Sequence, residues 1–463
     1  MNSMQLTDAA SLYNERIQGS HSAYGKYINP TFAKVLKLIG FAKQFMKAED
    51  CYLIGPNGEK YLDLVAGFGA CSIGHNNASV RLALQGVLQS TLPTMVQLDC
   101  PPLSTVLAER LLAKIPWAEM VYFGSTGSEA VESALKFARC STRRSKLVYA
   151  SSAFHGLSLG ALSVCGDDQW KSGFGSLLPD TRQVTFNSTG ELERALQNRD
   201  VAAFIVEPIQ AEAGVVLPSP EYLSQAKQLC QHNGTLLIFD EVQTGIGRTG
   251  AFLACNHWGV TPDIVCLSKS LSGGQVPVSA VLTTRRVLTS VFSSLDRCVV
   301  HSSTFGENNL AMAAGIATLD YLESANLVEN AVAMGEYIVS RLEKLKQKHD
   351  MIKSIRGKGL LVGLELGKPT SFLLKQVWTL GHLIHDGLFA QSVTLPLMAE
   401  HRIMIQVTGH NLNVLKISPP LTITPPDIDY FVEALDSVLT SLSSGVKPLV
   451  DLASIFVRGA NPT

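Results

Sequence analysis

The sequence predicts an α/β fold, with one large, mostly parallel sheet covered by helices and a second, smaller α+β unit. Three observations carry that reading. From about Glu119 to Leu282, short apolar runs ("MVYF", "KLVYA", "AAFIVE", "LLIFDE", "DIVCLS") alternate with amphipathic stretches, the pattern of strands buried on both faces and joined by helices. Beyond about Leu310 the pattern changes to long amphipathic helices, over Leu327 to Lys348 and Ile428 to Leu442, with the strand-like runs "GLLVGLEL" and "NVLKIS" between them. The length suffices as well, because 463 residues at 46% hydrophobic content support two or three domains with cores of their own. The expected division is an N-terminal segment over 1–60 packing with the small domain, a large ligand-binding domain over 61–310 and a small C-terminal domain over 311–463.

The elements are justified by their own residues. In the last helix Ile428, Phe431, Val432, Leu435, Val438, Leu439 and Leu442 repeat at spacings of three and four, which puts them on one face. Thr424 can cap it, Pro425 suits the first helical position, and Asp427 falls three residues after the cap. In the central region, "FGSTGSEAVESALKFAR" (Phe123 to Arg139) passes from a strand through small hydroxyl and glycine residues into a helix that Glu132 and Lys136 support at i, i+4.

Composition excludes several classes of function. A formal net charge of -1 gives no reason to expect nucleic acid or an acidic membrane surface as partner. Nine scattered cysteines, odd in number and without a C-x-x-C pair, fit a reducing compartment and argue against a metal or disulfide scaffold. The N-terminus has no apolar core of a secretory signal, and no apolar run approaches the roughly 20 residues of a membrane span. A cytoplasmic protein is the expectation.

The chemistry is concentrated at strand ends. "AAFIVE" ends at Glu207, "LLIFD" at Asp240, and "DIVCLS" runs into Lys269. If those strands are parallel, all three groups stand at the carboxyl edge of one sheet, where open α/β sheets bind ligands. Each has a plain alternative: an acid there can cap a helix, and a lone lysine can snorkel to the surface. The start of the Phe123 to Arg139 stretch is either an ordinary helix capped by Ser125, Thr126 or Ser128, or an anion site, where Gly127 lets a phosphate approach the backbone. "AFHG" (Ala153 to Gly156) adds an aromatic after another strand. Together these groups match what pyridoxal phosphate requires: a phosphate cradle, a lysine amine for its aldehyde, a carboxylate for its pyridine nitrogen, and flat or branched neighbours for its ring. Glu241, next to Asp240, would point the other way in a strand and reads as structural.

The chain resembles the class III pyridoxal-phosphate aminotransferases, the ω-aminotransferase group with the aspartate-aminotransferase type of fold (fold type I). The resemblance runs from about Lys26 to Leu442 and rests on "DEVQTGIGRTG" (Asp240 to Gly250), "PDIVCLSKSLSGG" (Pro262 to Gly274), "HSSTFGENNLA" (His301 to Ala311) and "IRGKGLLVGLEL" (Ile355 to Leu366). It implies that Lys269 is the Schiff-base lysine and then the base that moves the substrate proton, and that Asp240 binds the pyridine nitrogen. It also implies that Gln243 bonds the phenolate oxygen, that Val242 and Phe154 pack the two ring faces, and that Gly127 and Ser128 hold the phosphate. Thr304 resembles the threonine that reaches the phosphate of the neighbouring subunit, which implies a homodimer. Glu207 is expected in the hydrogen-bond network around Gln243 or the cofactor; His155 is either part of the stacking loop or structural.

Within the group, "AFHGLSLGALS" and "LLPDTRQVTF" look most like diamine (putrescine-type) aminotransferases and relatives that aminate long-chain aldehydes. The implied activity moves an amino group between a primary amine or aldehyde and an amino or 2-oxo acid, in two half-reactions. A lyase or aminomutase on the same fold is the alternative. Two positions depart from the family pattern. Lys416, in "NVLKIS", stands where many members have an arginine that clamps the oxo acid's carboxylate, and it is expected to pair with Glu212, the gate-like glutamate, when the substrate is uncharged. Glu307 and Asn309 stand where glycine and proline are commoner.

Overall fold

The computed structural model describes residues 8–95, 99–371, 374–376, 378–379, 382, 387–409 and 413–444. Near the N-terminus, β1 (Lys47–Glu49), β2 (Tyr52–Ile54) and β3 (Lys60–Asp63) form an antiparallel meander. The central region then builds a seven-stranded sheet from β4 (Met120–Gly124), β5 (Lys146–Ala150), β6 (Thr181–Val184), β7 (Val201–Val206), β8 (Leu236–Asp240), β9 (Ile264–Leu267) and β10 (Ser279–Thr283). Their order is β4-β10-β9-β8-β7-β5-β6. Only β10 runs against its neighbours β4 and β9; the other pairings are parallel. The mostly parallel sheet read from the apolar runs is the one observed.

The uninterrupted apolar strands follow from burial on both faces. In β7, Phe204 and Val206 join one core while Ala203 and Ile205 join the other, and β8 divides Leu237 and Phe239 from Leu236 and Ile238 in the same way. Alternation along a strand sends successive side chains to opposite faces, so both sets must be apolar. Helix α1 (Gly127–Thr142) covers the second face with Ala130, Val131, Ala134, Leu135, Phe137 and Ala138. Helix α2 (Asn309–Ser324) lies in the first core through Ala311, Met312, Ala314, Leu319 and Leu322.

The C-terminal region contains α3 (Leu327–Lys348), β11 (Ile352–Lys358), β12 (Leu361–Leu366), β13 (Ile403–Met404), β14 (Gln406–Val407), β15 (Val414–Ile417) and α4 (Pro425–Ser444). A second sheet has the order β11-β12-β15-β14 and is antiparallel throughout. β13 instead pairs in parallel with β3, which joins the N-terminal meander to this end of the chain. Ile428, Phe431, Leu435 and Leu439 of α4 are fully buried, each contributing about 1.5 to 3 kcal/mol of transfer free energy. Asp427 closes the start of α4 by accepting from the Thr424 amide (3.0 Å). Among the described residues no helix is long and apolar enough to cross a membrane.

Candidate active site

Three parallel strands deliver their terminal groups to one place. Glu207 follows β7, Asp240 ends β8, and Lys269 lies two residues past β9. Because β8 pairs with β9 with Asp240 opposite Cys266, the acid and the lysine leave adjacent strands at the same edge. They line one cavity of 180 Å³ with Gly127, Ser128, Phe154, His155, Val242 and Gln243. A larger recess of 660 Å³ contains no strand-end acid or lysine; Tyr122, His301, Thr304 and Glu307 line it. The chemistry therefore belongs to the smaller cavity. Tyr122 packs edge-on against Phe137 (centroids 5.4 Å apart) and lines the recess.

Asp240 is held firmly. One carboxylate oxygen accepts from the Val242 amide (3.0 Å), and the other accepts from His155 Nδ1 (2.7 Å). His155 is buried, and its other nitrogen, Nε2, has no hydrogen-bond partner among the described residues. A buried histidine with one nitrogen committed to a carboxylate orients that carboxylate as well as itself. Glu241 is turned to the opposite side, where it accepts from Thr244 Oγ1 (2.6 Å) and the amides of Ala254 (2.9 Å) and Cys255 (2.8 Å).

Glu207 makes its bonds to backbone, accepting from the amides of Phe154 (3.0 Å) and Ala211 (3.4 Å). It thus anchors the loop that carries Phe154 and His155. Among the described residues it makes no hydrogen bond to Gln243, whose amide group bonds Glu212 and Lys416 instead. Burial lifts the Glu207 carboxyl to about 7, with the neighbouring Asp240 charge pushing the same way against His155.

Lys269 opens a short 3-10 turn, Lys269–Ser272, with a backbone φ of +40°. A non-glycine residue in that region stores about 1 to 3 kcal/mol, which the buried turn around it must sustain. Burial lowers the Lys269 ammonium to about 8, and the charge of Lys416 adds to the effect while Glu212, Asp240 and Glu207 oppose it. Lys416 itself is wholly buried on β15. Its ammonium ion-pairs with Glu212, donates to Gln243 Oε1 (3.3 Å) and lies 5.6 Å from the centre of the Phe68 ring. Glu212 also accepts from Gln243 Nε2 (3.2 Å) and the Gly409 amide (3.1 Å). Burial raises the Glu212 carboxyl, but the Lys416 charge and bond outweigh it, and the group settles at about 2.

The anion site is the start of α1. Gly127 is the first helical residue after the Thr126 cap, so its amide and that of Ser128 are among those a helix leaves free. A Cβ at Gly127 would stand 2.8 Å from Val242 Cγ1, so glycine is required for the approach. The Ser128 hydroxyl pairs with Ser158 Oγ (2.7 Å). Val242 and Phe154 line the same cavity, and Phe154 is braced edge-on by Trp170 at 5.5 Å between ring centres. An anion cradle, a carboxylate, a lysine of lowered basicity and two apolar neighbours fit pyridoxal phosphate. Gly127, Ser128, Phe154, Asp240, Val242, Gln243 and Lys269 are the residues positioned to hold it. Thr304 is exposed and lies in the recess, outside its own chain's cavity.

Sequence reasoning gave no role to two residues that shape this region. Trp170 lies in a stretch with no motif, and only tertiary packing brings it to Phe154. Arg248 carries a signal, a charge inside the glycine-rich run after Asp240. It is fully buried, and its Nη1 donates to the Leu360 (3.1 Å) and Pro419 carbonyls, tying that run to the C-terminal sheet region.

A sheet edge of this kind fits a pyridoxal-phosphate-dependent enzyme of fold type I, and comparison with known proteins gives the family. Residues 41–439 match the class-III aminotransferases, and the chain belongs to that family of pyridoxal-phosphate-dependent enzymes. It is 35% identical to a putrescine aminotransferase of Pectobacterium atrosepticum, covering 94% of this chain and 91% of that protein. It is 33% identical to the aminotransferase PigE of Serratia sp., covering 91% of this chain but 53% of PigE, so it spans about half of that relative's length. A solved ornithine aminotransferase from Toxoplasma gondii, with pyridoxal phosphate at partial occupancy in its active site, superposes with a TM-score of 0.82. The two are 28% identical, over 95% of this chain and 99% of that one.

Proposed function

We propose that this chain moves an amino group between a primary amine or aldehyde, of the diamine or long-chain type, and an amino acid or 2-oxo acid. The observation that carries the reading is the convergence of Lys269, Asp240 and the Gly127 helix start on one 180 Å³ cavity. When bound, pyridoxal phosphate supplies the electron sink and the carrier for the amino group. The chain's own groups supply the rest. Asp240, fixed by His155 and the Val242 amide, accepts a charge-assisted bond from the pyridine nitrogen and keeps it protonated. Gln243 turns an amide hydrogen toward the phenolate oxygen. Lys269 Nζ, with basicity lowered toward the working pH, would take the proton from the substrate carbon and deliver it to the cofactor carbon on the far side of the nitrogen.

Glu212 and Lys416 sort the substrates. Paired, they present a neutral wall to an amine without a carboxylate. When an oxo acid enters, Glu212 withdraws and Lys416 Nζ meets the carboxylate as a point charge, weaker and less directional than an arginine fork. Putrescine aminotransferase as a relative supports an amine with a distal end free of carboxylate.

The same reading makes the protein a cytoplasmic homodimer, in which Thr304 reaches the phosphate held by the partner subunit. It divides the chain into a segment over 1–60, a cofactor-binding domain over 61–310 and a small domain over 311–463. The test is an absorbance titration of holoenzyme with putrescine, cadaverine, long-chain primary amines, glutamate and alanine. Bleaching of the yellow band by a terminal amine and its recovery with an oxo acid is the expected result. Ammonia release from a single substrate, with no need for an oxo acid, would replace transfer by elimination. No yellow band after reconstitution would remove the proposal.

A further inference from the structure

His301 stands three residues before Thr304 and reaches back to α1. Its Nδ1 accepts from Lys136 Nζ (2.7 Å), and its Nε2 bonds Ser133 Oγ (2.8 Å). The Ser133 hydroxyl proton is already given to the Glu129 carbonyl (2.7 Å). Serine can therefore only accept from the ring, so the hydrogen lies on Nε2. A lysine ammonium has donors and no acceptor, so Nδ1 must offer a lone pair. These two partners define one species, the neutral ring with hydrogen on Nε2. Burial and the Lys136 charge, which both lower the ring's basicity, agree with it. The ring also lies 4.8 Å from Tyr122 and 5.1 Å, edge-on, from Phe137, between centres.

The rest of the Thr304 loop is tied down as well. Gly306 passes so close to β4 that a Cβ there would stand 2.5 Å from the Phe123 carbonyl. Asn308 caps α2 through the Ala311 amide (2.9 Å), and Asn309 donates to the Pro93 carbonyl (2.9 Å). Thr304 and Phe305 remain exposed between these anchors. Ser133 is only five residues along α1 from Ser128, about 7 to 8 Å of helix. One rigid helix thus carries its own chain's phosphate cradle and, a turn and a half later, holds the loop that bears Thr304.

We propose that His301 is a positioning residue that clamps the Thr304 loop to α1, so that retention of cofactor by one subunit depends on a hydrogen-bonded clamp in the other. The inference rests on the reading of Thr304 as a phosphate contact across a dimer. Glu129, Lys136 and Ser133 on α1 and Tyr122 on β4 face the ring, and none of them lines the 180 Å³ cavity, so the clamp acts only through the loop.

The experiment follows release of pyridoxal phosphate from full-chain holoenzyme, by loss of the yellow band on dilution into buffer with a phosphate-analogue trap, alongside oligomeric state. H301F keeps a ring between Tyr122 and Phe137 but loses both polar bonds. H301Q can donate to Ser133 through Nε2 and accept from Lys136 through Oε1. Loss of bonds of this kind is expected to speed release about tenfold or more in H301F, with H301Q within about threefold of the native protein. The double variant H301F/T304A is expected to release no faster than T304A, because both act on one contact. Fast release by T304A with native release by H301F overturns the clamp, as do effects that multiply in the double variant. Native release by T304A overturns the reading beneath it and the clamp with it. If H301F does not fold, K136M, a change at an exposed side chain, is expected to speed release about threefold by removing one bond, and unchanged release overturns the clamp.

Discussion

At the scale of single residues, the site works by unequal treatment of its charges. Lys416 is buried without any exposed surface, yet it is tolerated because Glu212 and Gln243 receive it. Removing one partner of such a pair leaves the other unpaired and costly. Lys416→Ala is expected to raise the Michaelis constant for the oxo acid about tenfold, about 1.4 kcal/mol, and to leave that for the amine within about threefold. Separate kinetics of the two half-reactions decide the matter, and an unchanged oxo-acid value would remove the assignment of Lys416 to the carboxylate. Glu207 supplies a pH signature. Its carboxyl lies at about 7 against an ordinary 4.5. A group raised by folding gives its full contribution below the ordinary value and loses it as pH climbs through the raised one. Glu207→Gln, locked neutral, is therefore expected to match the native apoprotein in thermal stability near pH 4.5 and exceed it at pH 8, by up to about 3 kcal/mol. Equal melting temperatures at both pH values would show that Glu207 is ionised at no cost.

At the scale of elements, the start of α1 is the part most sensitive to a single atom. A methyl at Gly127 would meet Val242 Cγ1 at 2.8 Å, and Val242 is fixed in turn by the bond of its amide to Asp240. Gly127→Ala is expected to weaken pyridoxal phosphate binding about tenfold or more, and to lower apoprotein stability by about 1 to 3 kcal/mol as Val242 gives way. Fluorescence titration of apoprotein with the cofactor, beside a thermal melt, separates the two effects; native affinity would mean that Val242 yields freely. The elements themselves were readable at different depths. The helix Leu327–Lys348 has the bounds that its three-and-four spacing marks, and α4 begins at the proline that its cap signals name. β13 and β14, each of two residues, carry no periodicity in sequence and exist only because β3 and β15 offer them partners.

At the scale of the whole molecule, the 660 Å³ recess holds Thr304 while the cavity with Lys269 does not. On the proposal that Thr304 serves a partner's site, cofactor retention is a property of the dimer. Dilution of holoenzyme below its dimerisation constant is expected to speed loss of the yellow band, about in step with the monomer fraction measured by sedimentation. Release that is independent of protein concentration down to full dissociation would place the whole phosphate site in one chain.

The sequence by itself determined the parallel sheet, because strands buried on both faces must be apolar throughout, and it marked Glu207, Asp240 and Lys269 as costly groups at strand ends. Tertiary structure alone decided how those groups are wired. Asp240 and His155 are 85 residues apart in the chain, and no local pattern encodes such a pairing; Glu212 and Lys416, 204 apart, were expected to pair only through the family resemblance. His155 is given its orienting place by a 2.7 Å bond, Trp170 is brought to Phe154 by packing, and Glu207 turns to the Phe154 amide instead of Gln243. Hydrophobic periodicity is a property of neighbours in sequence, whereas hydrogen bonds and ion pairs are satisfied by neighbours in space, and only the folded chain makes the second set known.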